Sequence, residues 1–411
     1  MRIAHVAATR NSESSAAWRI LSAQREAGVD ARALVHLNSK NLSETDVFPD
    51  RGLFRNYRST ARINSALRKV TYLNTQNLPW SYTFFSDTNI EKIQEINPDI
   101  VNIHWLPSVL DLKSIHTIDK PIVLTLHDVW PITGGCHCNL DCERWKIGCR
   151  SCPQTFPFTL SPLSAHYNWN SKLVSFNKIK NLSIVAPSNW IAKMAESSPL
   201  FKNRFISVIP NCADTRIFTP MNKISAKRSI KVSRKKVILL YVVSGNINQF
   251  HKGIDLLKSV FRELTLEREN YQLLIVGNHG SNNKDLEGVE TKYLGEIDSQ
   301  EEMSLIYNAS DLMISTSRQD NLPNTLVEAT LCGTPLLAFN IGGIADIIKD
   351  DFTGKLIEIE DISAMAKYIA EKTYLNADTV NYRSSSSIRF TFDYCSEKYI
   401  NHYKKILKMS I

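Results

Sequence analysis

Asp320 and Glu328, two carboxylates with seven residues between them, are the side chains whose spacing points most directly to chemistry. Asp320 lies in a polar loop after the apolar run 312–315, and Glu328 lies on a helix predicted to begin near Asn324. Backbone amides at such a helix start can hold an anion, whereas carboxylates accept hydrogen bonds from hydroxyl groups. Together they predict a site for a sugar nucleotide.

The elements that must position these carboxylates form a predicted parallel β–loop–α–β unit over residues 311–343. Asn324 or Thr325 is predicted to cap the helix, and Gly333 is predicted to end it. A second buried strand is predicted at 335–339. Ligands of open parallel sheets bind at the carboxyl ends of the strands, so both carboxylates are expected at the mouth of that crevice.

The carboxylate pair followed by CGTP at 332–335 resembles the C-terminal signature of the retaining glycosyltransferases of family 4. Asp320 stands where that family usually has Glu. The resemblance implies an α/β GT-B fold, in which two doubly wound, Rossmann-like domains face each other across a cleft. It also implies transfer of a sugar, with retention of configuration, from a nucleotide-diphosphate donor to a hydroxyl of a lipid-linked glycan in surface polysaccharide assembly. This fold needs no catalytic metal.

The same resemblance assigns roles to individual residues. Glu328 would hold the ribose hydroxyls, Asp320 would face the sugar, and Lys252 would neutralise the leaving diphosphate. Family members usually carry a second cation, which is missing near Asn246, and His251 is a possible replacement. The expected catalytic residues are His127, Asp320 and Lys252. The expected donor-binding residues are Lys252, Gly245, Leu294, Asn321, Leu322, Asn324, Thr325, Leu326 and Glu328.

Two histidines end predicted strands in the first half of the chain, His104 after the run 100–103 and His127 after the run 122–126. A single histidine in such a place is more often structural, but two at neighbouring strand ends favour a function. His127, in TLHDVWPITGG, also resembles the family histidine that lies against the donor sugar.

Five of the eight cysteines lie between residues 134 and 154. In a cytoplasmic protein this spacing favours zinc over disulfides, and four thiolates would make the zinc structural. Cys138 or His137 could substitute for one ligand, and a redox pair or free thiols are the alternatives. The lead-in HD–W–P–TGGC resembles a subset of polysaccharide-assembling family-4 enzymes. The predicted ligands are Cys136, Cys142, Cys149 and Cys152.

The 411-residue length predicts two domains. We expect an N-terminal, acceptor-side domain over 1–218, a polar and basic linker over 219–236, and a nucleotide-sugar domain over 237–390. A closing helix in 391–411 is expected to return to the first domain. The loop 9–15, usually glycine-rich in the family, reads TRNSESS here and could face the acceptor or simply connect a strand to a helix.

The net charge of +8 fits nucleotide substrates, anionic lipid or nucleic acid alike. No apolar run reaches the length of a membrane span and no secretory pattern opens the chain, which predicts a cytoplasmic location. A basic segment over 50–73 could lie on an anionic membrane at the inner face of the plasma membrane, or could be a solvated helix. Its arginines at helical spacing are Arg51, Arg55, Arg58 and Arg62.

Two other functions are compatible with parts of the sequence. A GT-B epimerase acting on a nucleotide sugar would use the same fold. A zinc-containing nucleic-acid-binding protein would explain the cysteines and the basic charge, but it would leave the carboxylate pair unexplained. Aromatic residues do not interleave with the basic runs, so we expect no nucleic-acid partner.

Overall fold

The computed structural model describes residues 1–9, 15–37, 62–63, 65–67, 78–83, 90–155, 163–264, 268–280, 284–349, 353–376 and 387–409. They form two compact units. Met1–Pro210 and Phe392–Ile411 make up the first unit, and Asn211–Thr391 makes up the second. None of the described helices combines the length and the apolar character needed to cross a membrane. Arg51, Arg55 and Arg58 of the predicted basic helix, and residues 10–14 of the first loop, lie outside the described residues.

The strands are short and apolar, in keeping with parallel sheets that helices cover. In chain order they are β1 (Arg2–Thr9), β2 (Asp30–Leu37), β3 (Ile100–Ile103), β4 (Ile122–Thr125), β5 (Leu182–Ala186), β6 (Phe205–Val208), β7 (Val237–Asn246), β8 (Tyr271–Asn278), β9 (Glu290–Gly295), β10 (Leu312–Ser315), β11 (Leu336–Phe339) and β12 (Gly354–Ile357).

An α-helix lies between most pairs of consecutive strands. In chain order they are α1 (Ala16–Glu26), α2 (Ile90–Ile96), α3 (Ala165–Lys178), α4 (Asn189–Ser197), α5 (Lys223–Ser229), α6 (Ile254–Glu263), α7 (Gln300–Ala309), α8 (Asn324–Leu331), α9 (Ile362–Glu371) and α10 (Phe392–Met409).

Each unit is built on one six-stranded parallel sheet. The order is β2-β1-β3-β4-β5-β6 in the first unit and β12-β11-β10-β7-β8-β9 in the second. The direction of strand addition reverses between β1 and β3, and again between β7 and β10. Such switch points leave a crevice at the carboxyl ends of the strands, where ligands of open α/β sheets bind. The α/β prediction is therefore confirmed.

Both faces of the second sheet are buried, as the almost continuous apolar sequence of β7 predicts. Leu239 and Tyr241 pack into a core on one face, and Ile238 and Leu240 pack into a separate core on the other. Successive residues of a strand point to opposite faces, so a strand covered on both sides must be apolar throughout. This burial fixes the register of the strands that end at the candidate site.

Residues 219–236, predicted as a linker, belong to the second unit. They include α5, whose Lys227 Nζ lies 2.7 Å from the carboxylate of Asp311, a side chain that is 7% exposed. Lys223 Nζ of the same helix lies 3.0 Å from that carboxylate. The sequence alone suggested a solvated linker, because Asp311, which pairs with these lysines, is more than 80 positions away along the chain.

Candidate active site

Lys252 and Asp320 meet at the switch point of the second sheet. Lys252 lies in the loop that follows β7, and Asp320 lies in the loop that follows β10, the neighbouring strand. Lys252 Nζ is 2.7 Å from Asp320 Oδ2, and the two side chains are 20% and 18% exposed. The structure therefore joins two of the three predicted catalytic residues in one ion pair that solvent can still reach.

Hydrogen bonds to the backbone hold Lys252 in place. The Tyr241 hydroxyl donates to the Lys252 carbonyl at 2.7 Å, and the Thr316 hydroxyl donates to the Gly253 carbonyl at 2.7 Å. Gly253 has a φ of +72°, and a Cβ there would lie 1.9 Å from the Thr316 carbonyl oxygen. Only glycine tolerates both the left-handed backbone and this close approach.

Arg318 is a positioning residue that the sequence did not reveal. Its guanidinium binds both carboxylate oxygens of Asp255, at 2.9 and 2.6 Å, and donates to the Phe250 carbonyl at 2.9 Å. The Arg318 amide also donates to the His251 carbonyl at 2.8 Å. Arg318 thus fastens the loop that carries Lys252 to the loop that carries Asp320. The sequence offered one indication of this contact, the acidic residue Asp255 two positions after the segment HKG at 251–253.

His251, the possible replacement for the second cation, is buried next to Lys252. The residue is 9% exposed, and burial together with the charge of Lys252 lowers its pKa to about 4. A neutral imidazole cannot stabilise a diphosphate by charge at physiological pH. Burial therefore disfavours His251 as the second cation.

The start of α8 differs from its predicted capping. Pro323 is the N-cap and makes no side-chain capping bond, so neither Asn324 nor Thr325 caps the helix. Asn324 is instead the first helical residue, and its Oδ1 accepts from Asn211 Nδ2 at 3.0 Å. Gly333 follows the C-cap with a φ of +77°, as predicted for the helix end.

Two of the amides expected to bind phosphate already have acceptors. The Asn321 amide donates to Asp320 Oδ1 at 3.0 Å, and the Leu326 amide donates to the Pro323 carbonyl at 3.1 Å. Helix geometry gives the Thr325 amide, in the first turn, no intrahelical acceptor. The Thr325 amide therefore has the geometry expected of a first-turn anion donor.

Glu328 lies on α8 and is 5% exposed. Its Oε2 accepts a 2.6 Å hydrogen bond from the hydroxyl of Tyr307 on α7.

Of the other predicted donor-binding residues, Leu322 is buried in the core under α8, and Gly245 lies where the pairing of β7 with β8 shifts register. Leu294 is half-buried on β9 and packs against the same core as Leu322.

In the first unit, His127 belongs to a row of three histidines that lie on or just beyond the adjacent strands β1, β3 and β4. His104 Nδ1 lies 2.9 Å from His127 Nε2, and His104 Nε2 lies 2.9 Å from Nδ1 of His5 on β1. Neighbouring rings stack with centroids 5.2 Å apart. The structure thus brings together the two predicted histidines. The third was missed, although a polar residue inside the apolar strand IAHVA was a signal.

His127 lines a cavity in the first unit together with Trp105, Asp128 and Trp130. Burial lowers the pKa of His127 to about 4, against a smaller opposing effect of the Asp128 carboxylate. His127 is therefore neutral at physiological pH. Asp128 Oδ1 accepts from the Trp130 amide at 2.8 Å, which shapes the turn beyond the histidine.

Four cysteine side chains line a second cavity in the first unit, Cys136, Cys142, Cys149 and Cys152. Cys138 is buried but is not part of its lining. Among the residues that the structure describes, no group of three or more His, Cys, Asp or Glu side chains is arranged as it stands to hold a metal ion. Burial raises the pKa of the Cys149 thiol to about 12, although the Gly134 amide donates to its sulfur at 3.1 Å.

His137 is not part of the cysteine-lined cavity, and both of its ring nitrogens have other partners. Nδ1 lies 2.7 Å from Asp128 Oδ2, and Nε2 lies 2.8 Å from Ser81 Oγ. The ring also stacks on Trp105, with centroids 5.0 Å apart. His137 therefore joins the cysteine-rich segment to the loop that carries His127.

Lys172, on α3, has a fully buried amino group beside the cysteines. Its Nζ donates to the carbonyls of Trp130 and Thr133 and lies 3.4 Å from the centroid of the Trp130 ring. Burial lowers its pKa to about 7, and Cys149, the Asp128 carboxylate and Cys136 oppose that effect. Lys172 thereby ties the loop after His127 to the cysteine-lined cavity.

Two family models match adjacent parts of the chain. The model described as Glycosyltransferase Family 4 matches residues 17–217, and the model described as Glycosyl transferases group 1 matches residues 223–377. The carboxylate pair, Lys252 and α8 lie in the second matched region, and His127 and the cysteines lie in the first.

Over the aligned segments, two relatives are about one-quarter identical to this chain. The putative colanic acid biosynthesis glycosyl transferase WcaC of Escherichia coli (strain K12) is 24% identical over 331 residues, which cover 75% of this chain and 77% of that protein. The lipopolysaccharide 1,2-N-acetylglucosaminetransferase of Salmonella typhimurium is 26% identical over 190 residues, or 42% of this chain and 47% of that protein.

Solved structures share the fold over almost the whole chain. Sucrose-phosphate synthase from Thermosynechococcus elongatus superposes with a TM-score of 0.69 and 14% identity, over 100% of both chains. WaaG, a glycosyltransferase involved in lipopolysaccharide biosynthesis, gives 0.67 and 16% identity, over 98% of this chain and 99% of its own. Anabaena Alr3699/HepE, solved in complex with UDP-glucose, gives 0.61 and 14% identity, over 98% of this chain and 100% of its own.

These matches confirm the predicted GT-B fold. With two adjoining glycosyltransferase regions on that fold, the chain is a glycosyltransferase of the group 1 and family 4 type.

Proposed function

We propose that the protein transfers a sugar from a nucleotide-diphosphate donor, with retention of anomeric configuration, to a hydroxyl of a growing lipid-linked glycan. The observation that carries this proposal is the Lys252–Asp320 pair at the switch point of the second sheet, beside the start of α8. A cation, a carboxylate and first-turn amides at one crevice suit a substrate with both hydroxyl groups and a diphosphate. The complex of Anabaena HepE with UDP-glucose supports a nucleotide-sugar donor.

In this proposal the second unit stabilises the negative charge of the donor diphosphate. Lys252 and the first-turn amides of α8 stabilise the diphosphate as the glycosidic bond breaks and negative charge develops on the leaving group. Asp320 faces the sugar, and Lys252 holds its carboxylate in place. Glu328, fixed by Tyr307, accepts hydrogen bonds from the ribose hydroxyls.

His127 contacts the donor sugar from the first unit and takes part as a neutral hydrogen-bonding group. No general base is assigned. No catalytic metal is included, because lysine and backbone amides supply the counter-charge in this scheme.

The acceptor proposal draws on two relatives, whose names place them in colanic acid and lipopolysaccharide biosynthesis. We accordingly place this chain in bacterial surface polysaccharide assembly, including O-antigen or exopolysaccharide, and in the subset of family 4 with a cysteine-rich insertion. The proposed location is cytoplasmic, with access to the inner face of the plasma membrane.

A panel of nucleotide-diphosphate sugars, incubated with lipid-linked acceptors, tests the function. We expect release of the nucleoside diphosphate to depend on an acceptor, and NMR of the product to show the anomeric configuration of the donor. Conversion of the donor sugar without any acceptor would favour the epimerase alternative. Inversion at the anomeric carbon would overturn the retaining assignment.

The basic segment around Arg55, Arg58 and Arg62 is proposed to bind anionic membrane. Anionic liposomes should retain the protein at low salt and release it as the salt concentration rises, because the attraction is screened. Replacing these three arginines by serine should abolish retention. Unchanged binding of the variant would place the membrane contact elsewhere, with the basic residues of α5 as the next candidates.

We also propose that Cys136, Cys142, Cys149 and Cys152 bind one structural zinc ion. These four thiols surround one cavity, whereas the two substitutes considered from the sequence, Cys138 and His137, are placed elsewhere. Binding would draw the four sulfurs together as thiolates, and Lys172 would offset part of the negative charge of the site. Because Lys172 also holds the loop after His127, zinc would stabilise that loop.

Zinc content and thermal stability test this site. We expect about one zinc per chain, and chelation should lower the melting temperature more than it slows turnover. Cys149→Ser should lose the metal, whereas the matched control Cys138→Ser should keep it. Protein purified without metal, with a melting temperature that zinc does not change, would contradict the site.

A further inference from the structure

The turn that precedes α8 is fastened by a side chain from a distant part of the chain. Asn211 is 6% exposed and belongs to the second unit. Its Nδ2 donates to the Leu322 carbonyl at 3.0 Å and to Asn324 Oδ1 at 3.0 Å. Leu322 and Asn324 lie on either side of Pro323, the N-cap of α8. One side-chain amide, 111 positions before Leu322, therefore spans the start of the helix.

The orientation of the Asn211 amide follows from its partners. A backbone carbonyl can only accept a hydrogen bond, so the atom that faces the Leu322 oxygen must be the nitrogen. That nitrogen carries a second proton, which is directed at Asn324 Oδ1. Asn211 Oδ1 accepts from none of the residues that the structure describes. Asn211 thus binds two oxygens at the helix start and occupies none of the described amides there.

This arrangement takes the place of an ordinary helix cap. An N-cap side chain usually accepts from the N2 or N3 amide and thereby occupies one of the free donors of the first turn. Pro323 makes no side-chain capping bond, so the N2 amide, that of Thr325, is not occupied in this way. The hydrogen bonds of Asn211 stabilise the helix start without using that amide. An anion can therefore bind at the start of α8 without displacing a cap.

The other end of the turn has supports of its own. The Asp320 carbonyl accepts from the Gly343 amide at 3.1 Å. Gly342 has a φ of +54°, and a Cβ there would lie 1.9 Å from the same carbonyl oxygen. The Asp320 carboxylate is held by Lys252. Separate contacts therefore hold the two ends of the turn, and those of Asn211 act at the helix end.

Backbone contacts also fix the segment that carries Asn211. Cys212 and Ala213, the next two residues, are fully buried. The Ala213 amide donates to the Phe390 carbonyl at 2.9 Å, and Ala213 pairs with Thr391 in an isolated bridge. The amide of Asn211 consequently reaches α8 from a fixed point of the backbone, as a side chain that orients a binding site requires.

We infer that Asn211 is a positioning residue that holds the first-turn amides of α8 in place for the diphosphate of the donor. This inference deepens the proposed sugar transfer and rests on it for the identity of the anion. Loss of the Asn211 hydrogen bonds should weaken binding of the phosphate groups and not of the nucleoside, because these bonds act only at the helix start.

Hydrogen exchange of the full-length protein tests the positioning without any ligand. Asn211→Leu removes both hydrogen bonds, so peptides that cover 320–327 should exchange faster. Asn308→Leu is the matched control, since Asn308 is a buried asparagine of the same unit whose amide donates to the Thr219 and Ser304 carbonyls. That control should leave exchange at 320–327 unchanged. Equal acceleration in both variants, or none in Asn211→Leu, would overturn the inference.

Calorimetry with UDP and GDP, and competition by the uncharged nucleosides uridine and guanosine, tests the effect on binding. Asn211→Leu should lower the affinity for the diphosphates by roughly threefold to tenfold, the worth of one hydrogen bond, and should leave nucleoside affinity unchanged. Asn308→Leu should change neither affinity. Equal losses for diphosphate and nucleoside, or no loss, would overturn the inference alone. A wild-type protein that binds neither diphosphate would contradict the proposed donor, and the inference with it.

A double-mutant cycle connects the effect to a named bond. Asn324→Ala removes one of the two acceptors of Asn211, so Asn211→Leu should cause a smaller further loss of diphosphate affinity in that background than in the wild type. Asn308→Leu should have the same effect in both backgrounds. Full additivity of Asn211→Leu with Asn324→Ala would show that Asn211 does not act through the helix start.

Discussion

The candidate residues of the second unit form an ion pair, whereas the histidines of the first unit are joined by neutral hydrogen bonds. Lys252 and Asp320 form an ion pair in which each side chain is about one-fifth exposed, at 20% and 18%. His104 is 5% exposed, and burial lowers the pKa values of the whole histidine row. The same doubly wound architecture thus supports two kinds of polar chemistry.

The difference follows from where the side chains lie relative to their strands. Lys252 and Asp320 stand on loops beyond β7 and β10, where water can solvate a charge. His5 lies within β1, and His104 follows β3 directly, and both side chains are buried. Burying a charge is far more costly than burying a hydrogen-bonded neutral group. Under the proposed function, the second unit manages the charge of the leaving group and the first unit orients the sugar.

The largest expected effect is on Lys252. Lys252→Ala should lower turnover by about 10²–10³-fold, the usual cost of removing one group that stabilises developing negative charge. Affinity for the free nucleoside diphosphate should fall less, because the leaving group gains charge only as the bond breaks. Turnover measured beside calorimetry checks this. Lys258→Ala, on the neighbouring helix α6, is the control, and equal losses in turnover and affinity would refute the assignment.

The next largest effect should distinguish the two carboxylates by their influence on nucleotide affinity. Glu328→Gln should weaken nucleoside diphosphate binding by about 1.5–3 kcal/mol, because it removes a charge-assisted hydrogen bond to ribose. Asp320→Asn should leave that affinity nearly unchanged while turnover falls. Calorimetry with the free nucleoside diphosphate compares the two variants. Equal weakening by both substitutions would mean that the carboxylates share one task.

Acid should destabilise the first unit more than the second. Burial depresses the folded-state pKa of His5, His104, His127 and His402 in the first unit, and of His251 in the second. The unfolded chain therefore binds protons that the folded chain does not. The resulting stability is complete above about pH 6.5 and is lost as the pH falls toward 4.

At pH 5 the loss should reach about 2 kcal/mol for an isolated histidine of this kind, and less per residue within the coupled row. Hydrogen exchange followed by mass spectrometry at pH 7.5 and pH 5, corrected for intrinsic rates, reports each unit separately. Equal losses of protection in both units would contradict the comparison.

The smallest expected effect is on Arg318. Arg318→Lys loses the two-pronged contact with Asp255, whose side chain is 57% exposed, so solvent screens much of the interaction. We expect a twofold to fivefold fall in turnover, or up to about 1 kcal/mol, from looser placement of Lys252. Arg262→Lys, which loses a 3.0 Å pair with Glu287, is the matched control and should leave turnover unchanged. An equal effect in both variants would show that Arg318 does not position the site.

The sequence alone determined the local units of this fold. The strand at 312–315, the helix from Asn324 and its end at Gly333 follow from apolar runs, turn residues and the positive φ that glycine tolerates, all of which are local. The spacing of Asp320 and Glu328 was equally readable, because both lie within one β–loop–α unit. The α/β class followed from the alternation of such units.

Tertiary structure decided which distant residues meet. Lys252 and Asp320 are 68 positions apart, and His5 and His104 are 99 apart, so their contacts depend on strand order. The same order pairs Lys227 with Asp311, which turns the expected linker into part of the second unit. It also buries His251, which makes that residue neutral. Residue types and spacing indicate which groups can react, but burial and neighbours set their charge, and both arise only when the sheets assemble.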